Sequence, residues 1–346
     1  MKVLFVCSGN NKNFEIIPFI KEQGESVKRQ GIQVDYFPIK GKGLLGYLKA
    51  SLRLKKYLKT RHYDLIHAHY TLSGWTALIG GGKIPVVLSL MGDDALGTYK
   101  GVNNISLKSK YQVLLTFFIQ PFVKAIISKS QNIEKKVYLK KKSYIVPNGV
   151  DTQKFKPFWS NRTAIESKSG KKILFLGSKD RVTKNYTLAQ SAVSLLDQNV
   201  EFINPYPVAH HEVPNYLNDA DVLVFPSLME GSPNVVKEAM ACSCPIVATD
   251  VGDIKWVVGN TDGCYISSFD IKEFAEKIKL ALKYSEMKGR TNGAERIREL
   301  GLDADSVANK LIHIYSKVLK RQINKPINNV RIAAEVKTST EALKPQ

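Results

Sequence analysis

Cysteine is scarce. Only Cys7, Cys242, Cys244 and Cys264 occur in 346 residues, and Cys242-x-Cys244 lacks the spacing of a zinc knuckle. A disulfide-stapled scaffold is thereby excluded, and buried free thiols in a reducing cytosol are expected. Long apolar runs are missing as well. The best, Tyr111–Ile127, is broken by Gln120, Pro121 and Lys124, well short of the ~20 residues a spanning helix needs. It reads as a buried helix followed by a strand at Ala125–Ser128. No Gly-x-Gly-x-x-Gly follows the strand that opens either half, which disfavours a nicotinamide dehydrogenase. His210-His211-Glu212 imitates a metal site only superficially, because adjacent His residues do not share a helix face and no further ligand has standard spacing. No signal-peptide anatomy precedes the strand pattern at Met1–Val6, so a cytoplasmic protein is expected.

Acidic residues are few in one half only. The net charge is +20, and residues 1–170 hold 28 Lys and Arg against 10 Asp and Glu, whereas residues 171–346 hold 23 against 21. Solubility alone does not require that asymmetry; a basic face toward anionic lipid or a phosphate-bearing acceptor does. Nucleic acid would suit the charge, but no nucleic-acid-binding motif accompanies it. The length predicts two domains, and an apolar content of 44% is that of a folded protein.

Lys2–Cys7 has the continuous apolar pattern of a buried strand. A polar turn, Ser8-Gly9-Asn10-Asn11, leads to a helix near Phe14–Arg29, and Ile32–Ile39 alternates as a second strand. Strand, helix and strand joined by short loops open a doubly wound α/β domain. Ligands of such sheets bind beyond the carboxyl ends of the strands. That rule places Ser8–Asn11, with Gly9 and Asn10, to line a cleft, and points to His69 at the end of a strand begun at Asp64. Pro85–Leu90 is a further strand, followed by a turn that carries Asp93 and Asp94. Leu44–Arg61 reads as a helix that sets Leu44, Leu45, Leu48, Leu52 and Leu58 among Lys49, Arg53, Lys55, Lys56, Lys59 and Arg61. Two readings stand together: a solvated helix packed by its Leu face, and a helix lying on an anionic membrane.

Lys172–Gly177 opens a second α/β domain, and the loop Ser178–Asn185 precedes a helix at Thr187–Leu196. The whole chain is organised around the stretch from Phe225 to Ala241. Val222–Phe225 is a buried strand, Ser232 an N-cap and Pro233 a first helical residue. Free N–H groups between Gly231 and Val235 would attract phosphate or a sugar hydroxyl. Glu230 and Glu238, eight positions apart, supply acceptors for sugar and ribose hydroxyls.

This string, PSLMEGSPNVVKEAMACSCPIVATDVG, resembles the donor-binding signature of the family-4, retaining glycosyltransferases of the GT-B fold. Val146-Pro147-Asn148-Gly149-Val150-Asp151, with Phe155 and Pro157, is similar to the segment that closes their first domain, and His67-Ala68-His69-Tyr70 to their HAHY element. The resemblance spans roughly Met1–Arg321. It implies two facing, doubly wound Rossmann-like α/β domains with a cleft between them: residues 1–157, a linker at 158–170, residues 171–302, and a helix at 303–323 returning to the first domain. Residues 324–346 read as a disordered tail.

The implied activity is retaining transfer of a sugar from a nucleotide-sugar donor to a hydroxyl acceptor, in cell-surface polysaccharide or glycolipid assembly. Glu230, His69 and Lys184 would be catalytic. Arg181, Lys184, Glu230, Gly231, Ser232, Pro233, Asn234, Val235 and Glu238 would bind the donor. The family's Arg falls where this chain has Ser178, and Arg181 is the candidate to replace it. Gly9, Asn10, Asp93 and Asp94 would face the acceptor. No metal and no cofactor beyond the donor substrate is implied. Family acceptors are often lipid-linked, which would place the protein peripherally on the inner face of the plasma membrane. The rival readings are a sugar-nucleotide epimerase on the same scaffold and a binding subunit that has lost catalysis.

Overall fold

A computed structural model of the chain describes residues 1–11, 14–101, 104–158, 170–196 and 199–320. The expected tail at 324–346 and all but the ends of the expected linker at 158–170 lie outside the described residues. The first lobe runs β1 (Lys2–Ser8), α1 (Pro18–Arg29), β2 (Gln33–Ile39), α2 (Gly43–Tyr57), β3 (Leu65–His69), α3 (Thr71–Gly81), β4 (Val86–Leu90) and the single turn α4 (Asp93–Leu96). It continues with a small hairpin, β5 (Tyr99–Gly101) and β6 (Asn104–Ile105), then α5 (Leu107–Ile119), β7 (Ala125–Ser128), α6 (Gln131–Glu134) and β8 (Ser143–Ile145). The second lobe runs β9 (Lys171–Leu174), α7 (Tyr186–Val193), β10 (Val200–Ile203), α8 (Val213–Asp219), β11 (Val222–Phe225), α9 (Asn234–Ala241) and β12 (Ile246–Thr249). It ends with α10 (Ile254–Val258), β13 (Cys264–Ser267), α11 (Ile271–Lys288), α12 (Gly293–Glu299) and α13 (Ala304–Leu319).

Each lobe is one parallel sheet covered by helices on both faces. The strand orders are β2-β1-β3-β4-β7-β8 and β10-β9-β11-β12-β13. Val3 to Cys7 of β1 and all of β3, β4, β11 and β12 are buried, which is why β1 and β11 read as unbroken apolar runs and not as alternating ones. In both orders the chain steps to one side of its first strand and then to the other, so β1/β3 and β9/β11 are switch points. Crevices open there, at the carboxyl ends of the strands. The two-domain Rossmann-like α/β architecture that the motifs implied is therefore the observed one.

The last helix, α13, leaves the second lobe and packs on the first. Val307, Leu311, Ile314 and Tyr315 join the cluster under β1 and α1, and the Tyr315 hydroxyl meets His67 Nδ1 at 2.6 Å. Asp303 caps this helix by accepting from the Ser306 N–H.

Two expectations need correction. α5 is not a buried helix. Thr116 and Ile119 face inward, with the Thr116 hydroxyl donating to the Asp94 carbonyl at 2.6 Å, while Tyr111, Leu114, Phe117 and Phe118 stand about half exposed. An apolar run that long carries more hydrophobic residues than one buried face can hold. The Lys-rich stretch Asn132–Tyr138, whose composition suggests a helix, forms only the end of the single turn α6.

Candidate active site

The loops after β9 and β11 meet at the second switch point. Residues Val182–Lys184 form a 3-10 turn, and the Thr183 carbonyl accepts from the Leu228 N–H at 2.9 Å. That one backbone bond sets Lys184 beside the loop after β11. Lys184 Nζ donates to Glu230 Oε1 at 2.6 Å and lies 4.9 Å from the centre of the Phe225 ring. Both side chains of the pair are less than one-fifth exposed. The loop then approaches the first lobe closely. Asn132 Nδ2 donates to the Glu230 carbonyl at 3.0 Å. A Cβ on Gly231 would meet Ile133 Cδ1 at 2.9 Å, so only glycine fits there unless the isoleucine shifts.

Helix α9 begins one residue later than its sequence suggested. Pro233 is the N-cap residue and Ser232 makes no cap bond. The Ser232 hydroxyl is held by charged groups instead: it donates to Asp253 Oδ2 at 2.5 Å and accepts from Lys237 Nζ at 2.9 Å. Hydrogen bonds to ionised partners outcompete a neutral cap bond. Lys237 also donates to the Asn148 carbonyl at 3.0 Å, which ties α9 to the segment between the lobes. The first-turn N–H groups, Asn234 to Val236, have no intrahelical acceptor, so the head of α9 remains a positive end available to an anion. Inside the helix Glu238 Oε1 lies 2.9 Å from His210 Nε2.

The first lobe supplies the opposite wall. Gly9 donates to the Ile39 carbonyl at 2.8 Å. The Asn10 amide makes two bonds of 2.8 Å with the Gly41 backbone, one donated and one accepted. Asn10 thus holds the ends of β1 and β2 together. The paired aspartates differ. Asp94 is fully buried, and its oxygens accept from the N–H groups of Thr71, Met91 and Gly92 and from the Thr71 hydroxyl. Burial pushes its carboxyl up to about 6 against the pull of those bonds. Asp93 is the residue turned to the cleft, with Arg181 Nη2 at 3.9 Å from Oδ2 across it. Burial raises the Asp93 carboxyl, and Arg181 opposes the rise.

His69 is buried against Phe5 and His67, at ring distances of 4.8 and 4.2 Å. Neither of its ring nitrogens has a partner. Burial and then Lys129 hold its pKa well below the ordinary value, so it is neutral. Lys129, at the end of β7, is 2% exposed with an unpartnered Nζ, pushed down to about 7 by burial and then by Lys237. Sequence reasoning passed over Lys129 and Lys237, and weighed His210 only as a metal ligand. The strand-end rule that selected His69 would also have selected Lys129.

Among the described residues no group of three or more His, Cys, Asp or Glu is arranged to hold a metal ion. The chain has two Asp-x-Asp triplets, and both have structural partners. Asp219 pairs with Lys172 at 2.7 Å, and Asp221 accepts from the Lys172 N–H and the Ser285 hydroxyl. Asp303 is the cap on α13, and Asp305 pairs with Arg29 at 3.1 Å.

Two Rossmann-like lobes of this topology, facing each other, define the GT-B architecture. The chain belongs to the family-4 glycosyltransferases: residues 2–154 match the model of Glycosyltransferase Family 4, and residues 160–283 that of Glycosyl transferases group 1. It is 27% identical over 288 residues to the "Putative teichuronic acid biosynthesis glycosyltransferase TuaC" of Bacillus subtilis, covering 75% of this chain and 72% of the relative. It is 23% identical over 308 residues to the UDP-Gal:alpha-D-GlcNAc-diphosphoundecaprenol alpha-1,3-galactosyltransferase of Escherichia coli, covering 76% and 79%. Among solved structures it resembles sucrose-phosphate synthase from Thermosynechococcus elongatus, with a TM-score of 0.72, 17% identity, and 92% and 99% of the two chains covered. The Anabaena HepE protein in complex with UDP aligns with a TM-score of 0.68 at 15% identity, covering 92% and 100%.

Proposed function

We propose that this glycosyltransferase is retaining and metal-independent, and that it moves a sugar from a nucleotide donor to a hydroxyl of a lipid-linked acceptor in polysaccharide or glycolipid assembly. The observation that carries the reading is the Lys184–Glu230 pair, 2.6 Å apart at the head of α9. A cation, a carboxylate and free N–H groups converge there, as a diphosphate bearing a sugar requires. Lys184, Arg181 and the first-turn N–H groups of α9 hold the diphosphate and stabilise it as it leaves. Glu230 exchanges Lys184 for the hydroxyls of the donor sugar, and Glu238 accepts from the ribose.

Transfer takes place on the front face. The bond from the anomeric carbon to the diphosphate oxygen breaks, the acceptor oxygen bonds to that carbon from the same side, and the acceptor proton passes to the departing phosphate oxygen. The site needs no protein nucleophile for this, only positioning. Asp93 lines the acceptor side, together with Gly9 and Asn10 after β1, and Asp94 holds the turn that presents Asp93. For His69 to act at the donor–acceptor junction, a substrate must gain access to its buried, unpartnered ring nitrogens. Two tests decide the finer claims: the anomeric proton coupling in the product should match that of the donor, and turnover should persist in EDTA. An inverted product or a strict need for a divalent cation contradicts the proposal.

Two relatives, the E. coli enzyme and one from Campylobacter jejuni, are named for acceptors linked to diphospho-undecaprenol. Extending such an acceptor to this chain requires access to a membrane. No helix among the described residues is long and apolar enough to cross one, so contact would be peripheral. The outer face of the α2–α3–α5 layer suits it. Leu45 and Leu52 are 74% and 69% exposed, Phe118 and Phe122 53% and 61%. Lys49, Arg53, Lys55, Lys56 and Lys59 are exposed among the leucines of α2 and beyond its end. Apolar side chains that enter the headgroup layer, interleaved with cations that meet anionic lipid, are the pattern of an in-plane interfacial helix.

A further inference from the structure

One group of charges crosses the boundary between the lobes behind the donor loop. His210 stands between β10 and α8, with its side chain 23% exposed. Nε2 is 2.9 Å from Glu238 Oε1, and Nδ1 is 3.0 Å from Glu22 Oε1 on α1 of the other lobe. Lys154, from the segment joining the lobes, reaches the same Glu22 oxygen at 3.1 Å and lies 2.9 Å from His210 Nδ1. Phe155 covers the imidazole, with ring centres 5.4 Å apart. Burial acts to lower the pKa of His210, but the hydrogen bonds and charges of Glu22 and Glu238 outweigh it and hold it at about 9. Glu22 and Glu238 thus favour a proton on each ring nitrogen, against the Lys154 ammonium beside Nδ1. With the ring protonated, two carboxylates, one imidazolium and one ammonium close the charge.

A carboxylate held at one oxygen keeps its other oxygen in a fixed direction. We propose that His210 is a positioning residue of the donor site: it grips Oε1 of Glu238 so that the remaining oxygen meets the ribose diol, and through Glu22 it fastens that carboxylate to α1 of the first lobe. This rests on Glu238 being the ribose acceptor. Its consequence is that ribose recognition and the apposition of the two lobes share one side chain.

The two arms of the ring can be separated. Gln at position 210 presents an amide donor near the place of Nε2 and keeps the Glu238 bond. Asn presents one near the place of Nδ1 and keeps only the Glu22 side. The experiment titrates the wild type, His210→Gln, His210→Asn, His210→Ala and Glu238→Ala calorimetrically with UDP, GDP or ADP, whichever the wild type binds, and with its 2′,3′-dideoxy counterpart. Losing a charged hydrogen-bond partner predicts roughly tenfold weaker binding of the ribose nucleotide by the Asn and Ala variants, with Gln within about threefold of the wild type. None of the three position-210 variants should weaken the dideoxy nucleotide relative to the wild type. Each comparison is made between two ligands on one protein, so a general loss of stability cancels. Wild-type affinity in His210→Ala overturns the inference. So does an equal loss in all three variants, or an equal loss for both ligands, since either marks a merely structural histidine. If Glu238→Ala binds the ribose nucleotide as the wild type does, the assignment of Glu238 fails, and that failure is distinct from a failure of His210.

Discussion

Replacing Lys184 by Ala should separate catalysis from stability. Lys184 and Glu230 form an ion pair at the edge of the cleft, 19% and 17% exposed. Such a pair adds little to the fold, because water and the open cleft rehydrate Glu230 once the lysine is gone; the expected stability change is about 0–1 kcal/mol. The transition state loses far more. As the donor bond breaks, charge builds on the diphosphate, and Lys184 is the cation pre-positioned there by the Thr183–Leu228 backbone bond. Removing one pre-organised donor to a developing oxyanion costs about 2.7–4 kcal/mol, or roughly 10²–10³ in turnover. Lys184→Ala should therefore lower kcat/KM for the intact donor by that factor. Affinity for the nucleoside alone, which has no phosphate, should stay unchanged, and Tm should move little. Steady-state kinetics, nucleoside titration and a thermal scan on the same sample measure all three. A loss under tenfold, or an equal loss of nucleoside affinity, refutes the assignment of Lys184 to the diphosphate.

The two glutamates should part in the same way. Glu238→Ala weakens both nucleotide and donor, whereas Glu230→Ala spares the free nucleotide and reduces turnover, each at a cost of about 1.5–3 kcal/mol; unchanged kinetics in both would remove the donor site. At the membrane, flotation with vesicles containing anionic lipid should recover the wild type at low salt and lose it at high salt. Arg53, Lys56 and Lys59 changed to Glu, or Phe118 and Phe122 changed to Ser, should abolish recovery while nucleotide affinity stays intact; a wild type left in the soluble fraction redirects the basic lobe to a soluble acidic acceptor. His67, His69 and His210 should set two opposite pH slopes in stability. Burial and neighbouring cations hold His67 and His69 well below 6.5, so the unfolded chain takes up their protons first and Tm falls as the pH drops below 6.5. His210 is held at about 9, so its contribution is complete below 6.5 and is lost as the pH rises through 9. Lys129, held at about 7, gives a rising slope above 7 that opposes the loss from His210, and Asp94, held at about 6, opposes the two buried histidines. Each histidine is therefore read as the Tm difference between the wild type and its His→Ala variant; a difference that does not change from pH 5 to 9 would contradict the placement of that histidine.

What was legible in the sequence was what depends on neighbours in the chain. A parallel strand buried on both faces is an unbroken apolar run, so β1 and β11 stood out. A strand end followed by a helix marks a crevice, so Glu230, Asp93 and Asn10 were found from position and resemblance. Contacts between distant segments left no local trace. His210 lies 28 residues from Glu238 and is set against Glu22 of the other lobe, and nothing in its own surroundings announces either partner. Adjacent Asp93 and Asp94 read alike, yet the short α4 turns one into the cleft and the other into the protein. Ser232 had every mark of a helix cap and lost that role to Lys237 and to Asp253, which lies 21 residues away. The outer face of α5 was misread because an apolar run does not say which of its residues remain unpaired.

The central claim is sugar transfer from a nucleotide donor to an acceptor, and its most direct test is acceptor dependence. The protein is incubated with UDP-, GDP- and ADP-sugars in EDTA, with and without a lipid extract carrying diphospho-linked sugars, and both nucleoside diphosphate release and label in the lipid phase are followed. The account predicts that one donor class yields stoichiometric nucleoside diphosphate and labelled lipid only when the extract is present. Conversion of the donor sugar to its epimer without any acceptor, or no turnover with any donor and acceptor despite tight nucleotide binding, would contradict it.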